Sequence, residues 1–447
     1  MNQGQTVAFD AIQSGKSIFL TGPGGTGKSF LIGKLFESSR STALTAMTGC
    51  AALLLHPKAK TLHSWAGIGL GTDVVPLLVS KIKKSRKAVM RWMKTDTLVI
   101  DEISMMTPEL FEKLDEVGRK IRKNDVLPFG GLQIILVGDF FQLPPVSKGE
   151  DTHFVFESPL WKKLGLATHE LTEIVRQKDP VFQEVLNQAR RGELTKPSLR
   201  ILRKRMDLDY KSLEIQPTML FTRRVEVDQI NMRELKKLFT LGACERHIYK
   251  ATTAFSPVAQ TQGLHIDSPE VVREIQILDN NASYSPELTL AVGAQVMLIT
   301  NLNPEAGLVN GSRGVVVGFR RQEAEADAGA EGKASAPAKR QTDELLPLVQ
   351  FKSGDRRVID YKDWEATLPG IKRRQIPLKL AYAVTIHKAQ GATLDCALID
   401  VGDRTFECGQ AYVALSRVKD LDSLYIHDLD AEAFRAHPKV KEFYSVV

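Results

Sequence analysis

"SIFLTGPGGTGKSFLIGKLFESS", residues 17–39, decides the fold. An apolar, β-branched run ends in a glycine-rich turn, and the turn opens directly onto a segment with helical character. Inside it, "GPGGTGKS" (22–29) satisfies G-x-x-x-x-G-K-[ST] in the context that spacing requires, between a strand and a helix. Gly22, Gly24, Gly25 and Gly27 let backbone N–H groups, with that of Thr26 among them, turn inward to cradle phosphate oxygens. The start of the helix adds its partial positive charge. Lys28 is placed to reach the β- and γ-phosphates, and Ser29 to ligand Mg²⁺. A chance glycine turn before a lysine is the bland reading, and the matched context argues against it.

Outward from this loop, residues 17–139 alternate short β-branched runs with helical segments. "STALTAMT" leads into "GCAALLLH", "TLVIDE" into "PELFEKLDEVGRKIRK", and "LQIILVGD" follows. Such alternation argues for a mostly parallel sheet covered on both faces. "TLHSWAGIGLG" (61–71) and a basic stretch after it read as an insertion. A second α/β region starts near residue 168 with "THELTEIVRQ" and includes "PTMLFTRR". From about 290, "LTLAVGAQVMLIT", "RGVVVGF", "LPLVQF" and "RRVID" read as short strands joined by turns, the pattern of a small β-barrel. Residues 321–344 within it are rich in Ala, Glu and Gly without bulky apolar side chains, which predicts a disordered loop tip. The α/β pattern resumes at "PLKLAYAVTIHKAQGATLDCALIDV" (377–401).

The 447 residues suggest roughly three domains of about 150 residues each. A content of 43% apolar and 25% charged residues is that of an ordinary soluble globular chain. The net charge of +7 permits nucleic-acid binding without requiring it. Cys50, Cys244, Cys396 and Cys408 form no CxxC pair, so we expect reduced intracellular thiols and neither a zinc site nor a disulfide framework. No apolar run approaches the ~18 residues of a membrane span, and "MNQGQTVAFDAIQSG" lacks the apolar core of a secretory signal.

Three further segments carry chemistry. "LVIDEIS" (98–104) sets two carboxylates at the end of an apolar strand. Asp101 is suited to hold Mg²⁺ and Glu102 to polarise an attacking water; a lone Asp would fit a kinase, and the adjacent Glu favours hydrolysis. "ILVGDFFQLPPV" (135–146) ends another buried strand, from which Gln142 can sense the γ-phosphate. Gln5 offers the donor and acceptor that an adenine edge requires, although a surface glutamine would look the same.

In this order, "GPGGTGKS", "TAMTGCAA", "TLHSWAGIGLG", "VIDEISMM", "VGDFFQLPPV", "VRQ", "TIHKAQGATLD" and "AYVALSRV" span nearly the whole chain. The combination is highly specific and resembles superfamily 1B DNA helicases of the petite-integration-frequency (PIF) family, which are related to the RecD helicases. The resemblance implies an α/β fold of two RecA-like P-loop NTPase domains. A small insertion interrupts the first and an SH3-like β-barrel insertion the second. The implied boundaries are 1–168, with the insertion at about 61–94; 169–290 plus 377–447; and 291–376 for the barrel. It also implies ATP and Mg²⁺ as cofactors and ATP-driven 5′→3′ translocation on single-stranded DNA. Unwinding of duplex or structured DNA would serve genome maintenance: replication, repair, telomere or G-quadruplex processing.

By position, Gln5 matches the adenine-reading glutamine, and Arg176 and Arg417 match the arginines that reach the γ-phosphate. Gln390 and Gly391 would lie by the nucleotide, with Thr385, His387 and Lys388 on DNA phosphates. Thr48 and Gly49, at a helix start, would take another phosphate. His63 and Trp65 offer rings for base stacking, with a core position the competing reading of Trp65, where many relatives carry Phe. "KIKKSRKAVMRWMK" (81–94) would track the backbone, or is a solvated face. The expected partners are single-stranded DNA, single-strand/duplex junctions and G-quadruplex DNA, with no membrane and a monomeric chain. Polarity and the choice of DNA over RNA come from the resemblance alone. The compartment stays open among nucleus, mitochondrion, bacterial cytoplasm and viral replication site. A DNA-stimulated translocase that remodels protein–DNA complexes without processive unwinding is the alternative; a small-molecule phosphotransferase would leave "TIHKAQG" and "ALSRV" without work.

Overall fold

The computed structural model describes residues 1–38, 41–56, 58–145, 151–213, 216–240, 245–256, 265–282, 284–303, 308–321, 344–366 and 370–446. The chain divides into two compact units. One comprises Met1–Ser212, Pro217–Arg224 and Val384–Val447, the other Leu213–Gln216 and Val225–Ala383.

The first unit is built on six strands: β1 (Ile18–Thr21), β2 (Thr42–Ala46), β3 (Lys60–Thr61), β4 (Thr97–Asp101), β5 (Gln133–Val137) and β6 (Ala167–Glu170). Their order is β3-β2-β4-β5-β1-β6, and every described pair is parallel. Alternate residues feed two separate cores, as the period of a strand requires. Phe19, Leu98, Ile100, Ile134 and Leu136 enter one, while Ile18, Leu20, Val99, Ile135 and Val137 enter the other. Burial on both faces is why these strands read as unbroken apolar runs. Register then aligns the strand ends: Ala46 pairs with Asp101 and Leu20 with Val137. The residues that follow β1, β2, β4 and β5 therefore emerge along one carboxyl edge, where parallel sheets bind ligands. Three helices frame that edge. α1 (Gln3–Gln13) is capped by Asn2, α2 (Lys28–Ser38) follows the glycine loop, and α3 (Gly49–Leu55) is capped by Thr48.

The stretch read as an insertion folds into helices Leu62–Ala66, Val75–Lys84 and Arg86–Lys94. Leu78, Ile82, Ala88 and Trp92 face the same core as helix Pro108–Arg122. Lys81, Lys83, Lys84, Arg86, Lys87 and Lys94 stay exposed, so the basic run is the outer face of two amphipathic helices. Trp65 takes the core position. It is 4% exposed, its ring centroid lies 4.6 Å from that of Trp92, and Trp92 Nε1 donates to the Ala66 carbonyl at 3.0 Å. The base-stacking expectation for Trp65 gives way to this packing, because a ring with both faces covered has none to offer a base.

Apart from Ala383, the same unit holds a second sheet, ordered Ala383–Thr385, Thr218–Phe221, Ala397–Val401, Leu424–Leu429. The last helix, Pro438–Ser445, returns to the first sheet, and Phe443 packs with Phe19, Phe140 and Trp161.

The second unit combines helices Arg224–Thr240, apart from its first residue, and Pro269–Asn281 with antiparallel β-structure. Five short strands run in the order Arg356–Val358, Leu345–Phe351, Arg313–Arg321, Gln295–Leu298, Leu378–Leu380, with a register shift between Val316 and Gly318 that bends the sheet. Val296, Leu298, Val316, Val349, Phe351, Ile376 and Leu378 form its core, the SH3-like insertion. Strands Arg246–Lys250 and Thr252–Phe255 pair with Glu287–Ala291 and Ile371–Gln375, and the sequence had not marked them. Residues 322–343, the heart of the expected disordered tip, lie outside the described residues, as does Cys244. Among the described residues no helix is long and apolar enough to cross a membrane.

Trp92 is the largest fully buried side chain described. Trp92→Ala leaves a cavity beside Trp65 and should cost about 3–5 kcal/mol in urea unfolding. Lys84→Ala, on the exposed face, should stay within about 0.5 kcal/mol of the parent. Equal losses would contradict the assigned faces.

Candidate functional site

The loop after β1 turns through positive φ at Gly22, Gly25 and Gly27. At φ 84° Gly27 holds a conformation that L side chains rarely adopt, and a Cβ there would lie 2.5 Å from Gln5 Nε2 and displace that amide. Lys28 folds back over this loop: its Nζ donates to the Gly22 carbonyl at 2.7 Å and the Pro23 carbonyl at 2.9 Å. Thr26 is buried, its hydroxyl on the Pro23 carbonyl, while Ser29 is exposed in the first turn of α2. Gln5 serves structure at both ends of its amide. Its Oε1 accepts the Asn2 N–H at 3.1 Å, completing a capping box, and its Nε2 donates to the Thr26 carbonyl at 3.1 Å. One N–H and one lone pair remain for a base.

Asp101 ends β4, and Glu102 follows in the left-handed region at φ 56°. The Glu102 N–H donates to Asp101 Oδ1 at 2.9 Å, which ties the two together. Gln390 Nε2 donates to Glu102 Oε2 at 2.9 Å, and a Cβ on Gly391 would sit 3.5 Å from Glu102 Oε1. "TIHKAQG" therefore lies against the carboxylate pair. Both acids are buried. Burial, then the charge of Glu102, pushes Asp101 up to about 7. Burial raises Glu102 as well, opposed by the Gln390 hydrogen bond, Arg417 and Lys28.

Arg417, 1% exposed, spends its guanidinium on neutral oxygens. Nε donates to the Val413 carbonyl at 2.7 Å, Nη2 to Ser416 Oγ at 2.6 Å, and Nη1 to the Ala389 and Ala392 carbonyls at 3.4 and 3.3 Å. Burial first, and Arg176 second, lower its pKa to about 9, with Glu102 opposing. Arg176 joins the loop to this turn: its backbone N–H donates to the Gly25 carbonyl at 3.1 Å and Nη1 to the Ser416 carbonyl at 3.2 Å. Burial lowers Arg176, and burial lowers Lys28 against the pull of Asp139 and Glu102. Three cations thus converge where burial penalises their charge, and a polyanion would relieve that penalty.

Gln142 is buried behind the loop, its backbone N–H on the Asp139 carbonyl at 2.9 Å. Two neighbours went unassigned in the sequence. Arg190 grips fully buried Asp139 through Nε and Nη2 at 3.0 Å and lies 4.7 Å over the Phe141 ring. Its signal was available, since Arg190 falls on the apolar stripe Phe182, Val185, Leu186, Ala189 of helix Pro180–Arg191. Tyr412, inside "AYVALSRV", accepts the Gly24 N–H on its hydroxyl at 2.8 Å.

The residues expected on DNA fall in two groups. Thr48 caps α3, accepting the Ala51 N–H at 3.2 Å, with Gly49 beside it and both half-buried. His63 is half-buried, and burial lowers its pKa. Thr385 caps the short helix Ile386–Ala389 and accepts the Lys388 N–H at 3.3 Å. His387 Nε2 meets Glu407 Oε2 at 3.2 Å, and Lys388 is exposed.

The raised Asp101 fixes a pH dependence. Between its ordinary 3.8 and about 7, the folded chain holds a proton that the unfolded chain has released, so stability falls as pH rises through that window. Asparagine has no charge to bury. In thermal melts without nucleotide, the advantage of Asp101→Asn over the parent should grow from about pH 4 to about pH 7 and then level off. A difference independent of pH would remove burial as the cause.

A model of the PIF1-like helicase family matches residues 1–198, and one for the 2B domain of DNA helicase Pif1 matches residues 277–319. The ATP-dependent DNA helicase PIF1 of Danio rerio is 39% identical over 99% of this chain, which spans 63% of that relative and so somewhat under two thirds of its length. The crystal structure of Pif1 helicase from Candida albicans superimposes with a TM-score of 0.79 at 35% identity, covering 100% of this chain and 99% of that one. Pif1 helicase from Bacteroides in complex with ADP-AlF3 and single-stranded DNA gives a TM-score of 0.68 at 27% identity over 100% and 96%. With a helicase of this kind matched almost end to end at 35% identity, the chain belongs to the PIF1-like helicase family.

Proposed function

We propose that this chain is the ATP-driven motor of a 5′→3′ DNA helicase. The observation that carries the reading is the hydrogen bond between Glu102 and Gln390. It joins the acid that follows β4 to the segment whose Thr385, His387 and Lys388 are assigned to DNA phosphates. Whatever moves one moves the other, which is what coupling hydrolysis to travel requires. The Bacteroides relative, with nucleotide and single-stranded DNA bound together, supports the same pairing of ligands.

In this reading Lys28 leaves the Gly22 and Pro23 carbonyls for the β- and γ-phosphates, and the N–H groups of Gly25, Thr26 and Gly27 face the phosphate chain. Gln5 reads adenine with the amide capacity its cap leaves over. Glu102 orients the attacking water, Gln142 senses the terminal phosphate, and Arg176 and Arg417 stabilise charge developing on it. Asp101 and Ser29 would hold Mg²⁺: the pair supplies the oxygen ligands that a hard cation takes, and a buried carboxylate with a raised pKa is short of positive charge. The ion would neutralise the β- and γ-phosphate oxygens.

Thr48, Gly49 and His63 would contact the strand together with Thr385, His387 and Lys388. The domain boundaries we assign are 1–168, 169–290 with 377–447, and 291–376. Single-stranded DNA and its junctions with duplex are the substrates, G-quadruplexes a further one, and a monomer suffices. A translocase that strips proteins without opening duplex shares the same motor, and strand separation distinguishes the two.

Two experiments test the motor. A short duplex carrying a 5′ single-stranded tail should unwind with ATP and Mg²⁺, a duplex with a 3′ tail should not, and Lys28→Ala should abolish activity. Unwinding from the 3′ tail alone would overturn the assigned direction; DNA-stimulated hydrolysis without unwinding would leave the translocase. Arg417→Ala should keep ATP binding while hydrolysis falls about 10³–10⁵-fold. Hydrolysis near the parent rate would remove Arg417 from the transition state.

A further inference from the structure

Tyr412 belongs to helix Gln410–Leu415, one turn before Arg417, and is 2% exposed. Its hydroxyl oxygen accepts the Gly24 N–H at 2.8 Å. Lys28 Nζ is bonded to the carbonyls of the two residues just before Gly24, so ammonium and phenol grip consecutive residues of one loop. A Cβ on Gly24 would lie 3.5 Å from the Tyr412 hydroxyl oxygen and 3.6 Å from Ser416 Oγ, and Ser416 Oγ in turn receives the Arg417 guanidinium at 2.6 Å. A phenol can accept and donate at once. Here it only accepts: among the described residues the hydroxyl proton meets no acceptor, although the ring is buried. A buried donor left without a partner costs free energy, and this one lies beside the lysine that reaches the terminal phosphates in such loops.

Resting on the ATP reading, we infer that Tyr412 contacts the substrate. Its hydroxyl holds the Gly24 amide as acceptor and donates its own proton to an oxygen of the γ-phosphate. Burial first, and the charge of Asp139 second, raise the phenol to about 12, so it keeps that proton at any pH where the enzyme works. The contact exists with a triphosphate and is lost with a diphosphate. Tyr412 thereby distinguishes ATP from ADP on the helix that leads into Arg417, and loss of the γ-phosphate frees that helix from the nucleotide.

The test removes one oxygen atom. The affinities of the full chain for ADP and for a non-hydrolysable ATP analogue are measured by equilibrium fluorescence titration for the parent, Tyr412→Phe and Lys28→Ala, with a thermal melt of each. Tyr412→Phe should bind ADP as the parent does and the analogue about 10-fold or more weakly, the worth of a hydrogen bond to a charged oxygen. Lys28→Ala should weaken both. An unchanged ratio of affinities in Tyr412→Phe overturns the contact. An equal loss for both nucleotides, or a melt lowered with no change in the ratio, also overturns it and leaves Tyr412 a packing residue. A parent chain that binds neither nucleotide would overturn the ATP reading itself, an outcome distinct from failure at Tyr412 alone.

Discussion

Glu102 is held between Asp101, its neighbour in sequence, and Gln390, 288 positions away. Its backbone occupies the left-handed region, which costs a residue with a Cβ about 1–2 kcal/mol. The Asp101 carboxylate offsets part of that cost by accepting the Glu102 N–H, and the twist aims the carboxylate away from β4 toward Gln390. The rest of the site depends on this placement. Gly391, beside Glu102, is a glycine because its φ of 76° is one that L side chains rarely adopt.

The second constraint is electrical. Lys28, Arg176 and Arg417 share a poorly hydrated space with Asp101 and Glu102, and burial lowers the cations and raises the acids. In the free protein each sign is penalised by burial and only partly relieved by the other. Under the proposed function, a triphosphate with its divalent cation would bring the missing charges in matched form: negative oxygens for the lysine and arginines, and a positive centre for Asp101. Asp139 joins this balance from behind the loop: it pulls on Lys28 while Arg190 holds it with two nitrogens and fixes the turn before Gln142.

Much of this was legible in the sequence. Strands β1, β4 and β5 announce themselves because both faces are buried, whereas edge strand β6 is half-exposed and read as the start of a second region; the loop is legible because its spacing is set by phosphate geometry. Strands Arg246–Lys250 and Thr252–Phe255 were hidden because their residues are largely exposed or half-buried, the first charged at both ends and the second only four residues long, so no apolar run marks them. Trp65 was legible only in part, since its partner Trp92 lies 26 residues from the Ala66 carbonyl that fixes it and is found only by folding. Gln5 carried a local signal for its structural role: Asn2 and Gln5 have the spacing of a capping box. Tyr412 had none, because its meaning is a contact with Gly24 across 388 positions.

The central claim is that Gln390 acts on hydrolysis through Glu102. A double-mutant cycle of Glu102→Gln and Gln390→Ala, read as the rate of ATP hydrolysis on single-stranded DNA, tests it most directly. Gln390→Ala should slow the parent strongly and change the Glu102→Gln variant little, because residues that act as one unit are not additive. Two losses that simply multiply would show that the segment around Gln390 works independently of the acid it touches.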